Sequence, residues 1–433
     1  MFLLKTHQVP ILDSDAEVFG LLMATLAFVF FTSKKSKNPF WVKFYKYIPA
    51  LLMAYLLPAI FTSLNIISSE WTISLEDGTK SIQKLNLYFM ATRFLLPAAL
   101  FLMTLSIDFK GLVNLGWKPL AMFLTGTCGI IVGGPLSIFI FSILFPQTTE
   151  VTGDLALWRG FSTLAGSWIG GGANQTAMLE LFEYNKEKYG AMLLVDIVVA
   201  NIWMAFLLFG IERKEKINKW LKADNSSVEQ LIEKMDNFSN KVKREAALSD
   251  FIIILGLAFF GTSLAHFFGN NLSLFFGEIP SLKSSTLTSS FFWLVVLSTS
   301  FGLLLSFTKV RNLEGVGASK FGSVFIWILV SIIGMKMDLN QIFQAPQLIA
   351  MGILWMFIHV LLLIIVARII RAPYFFLAVG SKANVGGAAS APVVAAAFHP
   401  SLATVGVLLA VLGYALGTYG ALICTWLMRL ITT

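Results

Sequence analysis

Among 433 residues, 57% of them hydrophobic, few groups able to do chemistry lie inside apolar stretches. Asp196 sits two turns into Ala191-Met-Leu-Leu-Val-Asp-Ile-Val-Val-Ala200. An aspartate at the centre of a membrane helix costs ~2.5–3.5 kcal/mol on insertion scales, so it must face the protein interior and hold a partner or a proton. The chemistry open to it is binding a coupling cation or taking up and releasing H⁺; the alternative is a hydrogen-bonded carboxyl stitching two helices. Asn201, five residues on and roughly 140° around the helix, reads as a packing hydrogen bond. Lys382 either snorkels to the cytoplasmic surface, pairs with an anionic substrate group, or stands in for a cation. Arg93 reads as a snorkelling residue near the outer end of its span. His359 and His266 read as helix–helix hydrogen bonds, with proton relay the alternative.

Two glycine-rich stretches carry the remaining polar groups. The first is Gly160-Phe-Ser-Thr-Leu-Ala-Gly-Ser-Trp-Ile-Gly-Gly-Gly-Ala-Asn-Gln-Thr-Ala-Met178. Thr163 and Ser167 are four apart and share a helix face. Gly171 and Gly172 break the helix, and Asn174, Gln175 and Thr176 start its return, where cap-forming residues belong. The second stretch offers Ser381, Lys382, Asn384 and Ser390 around Gly386 and Gly387. Broken backbone at membrane depth is tolerated only where it is buried in protein or lines a wet cavity. It supplies helix-dipole charge for an anion at N-terminal ends and carbonyls for Na⁺ at C-terminal ends. Ser167, Asn174, Asp196 and Asn384 are the candidate Na⁺ ligands. Small-residue motifs also mediate plain helix packing, and Gly133, Gly134, Gly413 and Gly417 fit that use.

These groups need a membrane scaffold. Charged residues make up 13% and mean hydropathy is +0.77, against about 25% charge in soluble proteins; the chain is polytopic. Spans of ~20 apolar residues fall near 15–33, 47–67, 86–107, 119–145, 189–211, 250–269, 287–307, 319–337, 346–367 and 401–428, with 156–185 and 373–399 apolar but interrupted. The expected fold is all-α: about ten transmembrane helices plus two glycine-rich re-entrant or broken hairpins. Cys128 and Cys424 lie in apolar runs and imply neither a disulfide framework nor a zinc site. Met1 to Pro10 lacks the features of a signal peptide. The net charge of +8 reports orientation rather than nucleic-acid binding.

The halves are alike in order. Thr104-Leu-Ser-Ile-Asp108 resembles Ile333-Gly-Met-Lys-Met-Asp338, and each is followed by a glycine motif, so the chain reads as an internal duplication. With both glycine segments turning back, each half crosses five times and the second is inverted. Roughly 21 Lys and Arg then lie inside against about seven outside, as the positive-inside rule expects; full crossings would reverse the bias. Residues 1–211 form the first repeat, with scaffold spans in 15–67 and a core at 86–211. Residues 212–248 are a cytoplasmic linker carrying an amphipathic helix. Residues 249–433 form the second repeat, with scaffold 250–307 and core 319–431. Both termini are expected outside, in a bacterial inner membrane.

Gly166-Ser-Trp-Ile-Gly-Gly-Gly-Ala-Asn174 and Asn384-Val-Gly-Gly-Ala-Ala-Ser390 resemble the YjcL-like family of integral membrane proteins, a domain-of-unknown-function group, over nearly the whole chain. More distantly, paired glycine breaks in an inverted repeat are similar to the sodium/glutamate, 2-hydroxycarboxylate and bile-acid/sodium symporter superfamily. That similarity implies a core holding both hairpins, a panel or scaffold domain, and substrate with Na⁺ between the tips. Roles would fall on Ser167, Asn174, Gln175, Thr176, Ser381, Asn384 and Ser390. The glutamate symporter's own glycine signature is missing. The expected function is a secondary active transporter moving a small anionic organic solute with Na⁺ or H⁺ by alternating access. The alternatives are a channel, or a non-transporting membrane protein with a packed glycine-rich core. Enzymatic activity is not expected: there is no HExxH, carboxylate pair or nucleotide loop, and Ser381 and Lys382 point about 100° apart on a helix. No cofactor is expected beyond the coupling ion. Membrane lipid and a small solute are the expected partners, with a homodimer allowed and nucleic acid excluded.

Overall fold

The computed structural model describes residues 9–432 apart from 49, 75–79, 147–151, 225, 230, 233–245, 283–285, 337–345 and 400–401. The expected Asp338 marker and much of the expected linker lie outside the described residues. Among the described residues, seven helices are long and apolar enough to cross a membrane. They are α1 (Asp15–Phe30, prolonged by a π turn to Lys35), α4 (Leu87–Leu105), α5 (Trp117–Leu144), α8 (Tyr189–Ile211), α10 (Leu248–Gly277), α13 (Pro346–Ile369) and α16 (Ala403–Thr432). Three further expected spans are shorter helices: α3 (Ala50–Ser63), after the amphipathic α2 (Pro39–Tyr47), α11 (Ser290–Ser306) and α12 (Ala318–Gly334). Each is cut by a local break. Asn65 takes a left-handed φ of 55° just past α3, and α11 turns by 97° into the 3₁₀ segment Lys309–Val316. A short helix, α9 (Lys214–Leu221), opens the linker. The loop between α3 and α4 contains an antiparallel strand pair, β1 (Glu70–Ser74) and β2 (Lys80–Lys84), with Glu70 opposite Lys84.

Helix α4 packs against α10, α11 and α12, and α12 in turn against α3 and α1. The sequence grouped 86–107 and 319–337 with the glycine hairpins; they pack chiefly on each other and on the expected scaffold helices, with smaller contacts from α4 to α16 and to the first hairpin. Glycines explain the partnership, because without a hydrophobic drive between helices close backbone approach decides which ones associate. A Cβ at Gly261 or Gly302 would collide with α4 at Phe101, at Gly322 with Met103 and Ala99, and at Gly334 with the Tyr55 backbone. Thr104 Oγ1 adds a hydrogen bond to the Thr299 carbonyl (3.1 Å).

The second group comprises α5, α8, α13, α16 and two helical hairpins. The first hairpin is α6 (Leu157–Gly170) and α7 (Gly172–Leu181); the second is α14 (Tyr374–Asn384) and α15 (Gly387–Phe398). Gly171 makes the first turn with φ 75° and ψ −171°, and Gly386 the second with φ 112°, backbone regions that side chains with a Cβ avoid. Both segments fold back on themselves. Arg159 Nη1 donates to the Phe182 carbonyl (2.6 Å) and the Asn185 amide to the Asp154 carbonyl (3.0 Å), closing the first mouth. Phe398 packs its ring on Tyr374 and Phe375 at 5.8 and 5.2 Å to close the second. Gly133 and Gly134 of α5 admit the Trp355 indole of α13, and Gly413 and Gly417 of α16 admit the backbone of α6.

Candidate functional site

Helix α8 is the spine on which the two hairpin tips converge. Its all-round apolar sequence carries one carboxylate, Asp196, half-buried, and three side chains of the first hairpin donate to it. Ser167 Oγ lies 2.6 Å from Asp196 Oδ2, Gln175 Nε2 3.1 Å from the same oxygen, and Trp168 Nε1 2.7 Å from Oδ1. Ser167 and Trp168 end α6 and Gln175 opens α7, so the glycine turn is what brings them to one acceptor. Three donors on two oxygens is the shell of an ionised carboxylate. Two of the donors are N–H groups, which cannot ligate a cation.

One turn further along α8, the second hairpin docks. Lys382 Nζ donates to the Ala200 carbonyl (3.0 Å), and the residue is 2% exposed. It does not snorkel. The hairpin turns before its stem can reach the surface, and its ammonium is buried on α8 four residues from Asp196. Ser381 joins a chain of hydrogen bonds that runs through four helices. Trp203 Nε1 donates to Ser381 Oγ (2.8 Å), Ser381 Oγ lies 2.8 Å from His359 Nε2, and His359 Nδ1 lies 2.9 Å from the Gly126 carbonyl. The carbonyl only accepts, so Nδ1 carries the proton and Nε2 receives the Ser381 hydroxyl. His359 is the helix–helix hydrogen bond its lone position suggested. Ser390 Oγ is buried beside this turn with no hydrogen-bond partner among the described residues. A Cβ placed on Gly386 would meet Ser390 Oγ and sit 3.2 Å from Lys382 Nζ.

The two asparagines are used differently, and alike. Asn174 Nδ2 donates to the Gly170 carbonyl (3.1 Å) and the Tyr414 carbonyl (3.0 Å), while its Oδ1 accepts from Thr418 Oγ1 (2.6 Å). Asn384 Nδ2 donates to the Gly380 and Phe123 carbonyls (both 2.9 Å), and its Oδ1 accepts from Thr127 Oγ1 (2.8 Å). In each case the amide bonds the carbonyl four residues back, then a carbonyl and the threonine four residues on in a long helix. Those partners read Phe123-Leu-Thr-Gly126-Thr127 in α5 and Tyr414-Ala-Leu-Gly417-Thr418 in α16. The first hairpin is thereby pinned to α16 and the second to α5. With every polar atom engaged, neither asparagine joins Ser167 and Asp196 in a single ligand set, as the sequence had grouped them for Na⁺. Thr163 and Thr176 bond their own helices, to the Gly160 and Gly172 carbonyls. Asn201 does the same with Ile197. Gly171, Gly172, Gly386 and Gly387 make the turns themselves. No group of three metal-ligating side chains occurs among the described residues.

Sequence reasoning did not find Trp168, Trp203, Thr127, Tyr414 or Thr418. The repeated aromatic-x-x-Gly-Thr pattern was the available signal for the last three. The indoles gave none, since a membrane tryptophan reads first as an interfacial anchor.

Long apolar helices around buried, bonded polar groups define an integral membrane protein. Residues 20–430 match a family described as "Protein of unknown function (DUF819)", and the chain belongs to that family. It is 25% identical over 344 residues to the uncharacterized membrane protein YjcL of Bacillus subtilis (strain 168), covering 77% of this chain and 82% of that protein.

Proposed function

We propose that the chain is a secondary active transporter for a small organic anion, driven by Na⁺ or H⁺. The observation that carries this reading is the meeting of two broken hairpin tips on α8, bringing one half-buried carboxylate and one buried ammonium within a helical turn. Paired helix breaks near the middle of a helical membrane protein are the best structural pointer to a transporter binding site. At the second tip, Lys382 has donors to spare, Ser390 Oγ lacks a partner, and the N-terminus of the twelve-residue α15 adds positive dipole charge. Together they suit a carboxylate or phosphate group of the solute. Asp196 is the coupling residue in this reading. Its N–H donors favour exchange of a proton, and a Na⁺ ion would require Trp168 and Gln175 to turn away.

The two hairpins open toward opposite faces of the membrane, each half crossing five times as an inverted repeat, in a bacterial inner membrane with both termini outside. The moving body is α5, α8, α13, α16 and the hairpins; α1, α3, α4, α10, α11 and α12 form the scaffold. This partition follows the packing and transfers residues 86–107 and 319–337 to the scaffold. Alternating access is rigid movement of one body past the other. The architecture proposed here is that of the sodium/glutamate and bile-acid symporter superfamily, which the paired glycine breaks resemble.

The test is ligand-dependent thermal stability of the purified protein across a panel of organic anions, with and without Na⁺, at several pH values, since selective binding to the native state raises apparent stability. At least one anion should stabilise the wild type and fail to stabilise Lys382→Gln. Uniform indifference to every anion, in a protein that unfolds cooperatively, would sink the reading.

A further inference from the structure

A polar cavity lies away from the hairpin tips. It has a volume of about 280 Å³ and is lined by β1, β2, the start of α4, the closed mouth of the first hairpin and the end of α12. Four cations face it, Lys84, Arg93, Lys186 and Lys336, against two carboxylates, Glu70 and Glu180. Both carboxylates are already engaged. Glu70 pairs with Lys84 at 3.6 Å, and Glu180 pairs with Lys186 at 3.5 Å and accepts from the Tyr88 hydroxyl.

Arg93 and Lys336 are left over. Neither has a carboxylate within ion-pair distance among the described residues. Arg93 Nη1 is buried without any hydrogen-bond partner, and its guanidinium lies 4.3 Å over the Phe291 ring. The Lys336 ammonium sits 4.2 Å from the Tyr88 ring and that of Lys186 4.5 Å from the same ring. Like charges thus crowd one aromatic side chain. Burial, and after it the Lys186 ammonium, holds Lys336 below the usual lysine value.

Arg93 belongs to a π turn, Ala91–Leu95, and His266 Nε2 donates to its carbonyl (2.8 Å). Single π turns inside α-helices concentrate at functional sites; this one sets Arg93 on the cavity wall. A guanidinium and an ammonium lining one cavity, neither in an ion pair among the described residues, are the complement of a delocalised oxyanion.

We infer that this cavity binds a small oxyanion, a carboxylate or phosphate group, between Arg93 and Lys336. Because Glu180 and Lys186 also belong to the mouth of the first hairpin, the bound anion would brace that hairpin against α4 and α12. The site does not depend on the chain being a transporter.

The test is calorimetric titration of the purified protein in phosphatidylcholine nanodiscs with inorganic phosphate and with succinate. The expected result is saturable binding of at least one of them, weakened about tenfold or more by Lys336→Gln and by Arg93→Lys, and retained by Lys382→Gln. Arg93→Lys keeps a cation over Phe291, and an unchanged melting temperature without anion checks that each variant is folded. No binding of either anion, or binding lost in Lys382→Gln but kept in Lys336→Gln, overturns the inference. Nanodiscs of phosphatidylglycerol separate the sources of the anion. Undiminished phosphate binding there identifies a soluble anion. Competition by the lipid that Lys336→Gln removes identifies a phosphate headgroup, and either result supports the oxyanion site.

Discussion

Replacing Asp196 separates the role of its charge from the role of its shape. In Asp196→Asn the carboxamide can keep its oxygen toward Trp168 Nε1, which only donates, at the 2.7 Å position of Oδ1. The new NH₂ then faces Ser167 Oγ and the Gln175 amide, and both can accept after a hydroxyl rotation and an amide flip. Each of the three side chains thereby keeps a hydrogen bond to position 196. The loss is the charge-assisted part of three hydrogen bonds, partly offset because a charge no longer has to be desolvated; stability should stay within about 1–2 kcal/mol of wild type. Asp196→Leu offers no acceptor. Three buried donors are stranded at about 1–3 kcal/mol each, so the loss should reach roughly 3–9 kcal/mol, the lower end being more apt in a membrane. Thermal unfolding in nanodiscs measures the difference, and uptake in proteoliposomes measures the function. Asp196→Asn should be folded and unable to couple uptake to an ion gradient. Equal damage from Asn and Leu would refute the donor arithmetic, and full coupling in Asp196→Asn would refute the assignment of Asp196.

Other outcomes follow from the same geometry. Gly417→Ala places a methyl against the Gly170 Cα and 2.6 Å from Asn174 Nδ2; overpacking of this kind costs about 1–3 kcal/mol, visible as a lower melting temperature. A double-mutant cycle of Asn384→Leu with Thr127→Val should show a coupling of about 0.6–1.5 kcal/mol, and none should appear between Asn384→Leu and Thr418→Val. Lys336 resists protonation in the folded state, so the unfolded chain binds more protons. Stability should therefore rise with pH between its lowered folded value and the usual 10.5, a slope that Lys336→Gln flattens in melting curves taken across that range.

Class and element order were legible because ~20-residue apolar runs have one physical use, and the glycine segments because triple glycine has no place in a plain span. Fold-back was legible from loop charge alone. What α4 and α12 pack against was not, since the glycines that decide it, Gly302 and Gly322, lie on partner helices and look like any small membrane residue. The pair β1 and β2 had a sequence signal, Trp71-Thr-Ile-Ser and Lys80-Ser-Ile-Gln around Asp77-Gly78, that a search for spans passes over. At the site, Asp196 stood out because a charge in an apolar helix must find partners, but which side chains of the first hairpin donate to it was not legible. Asn174 and Asn384 were placed with Ser167 and Asp196 as candidate Na⁺ ligands because an amide beside a helix break suits either a ligand or a cross-link; the cross-links seen here depend on the positions of Thr127 and Thr418. Lys382 was left between snorkelling and pairing because the reach of its stem depends on where the hairpin turns.

Flux of organic anions into proteoliposomes containing only this protein, under imposed Na⁺ or H⁺ gradients of either direction, is the most direct measurement. The expected result is gradient-driven accumulation of at least one anion by the wild type, lost in Asp196→Asn and in Lys382→Gln while both remain folded. Absence of flux for every anion under every gradient, or accumulation indifferent to both substitutions, would contradict a transport site built where the two hairpins meet α8.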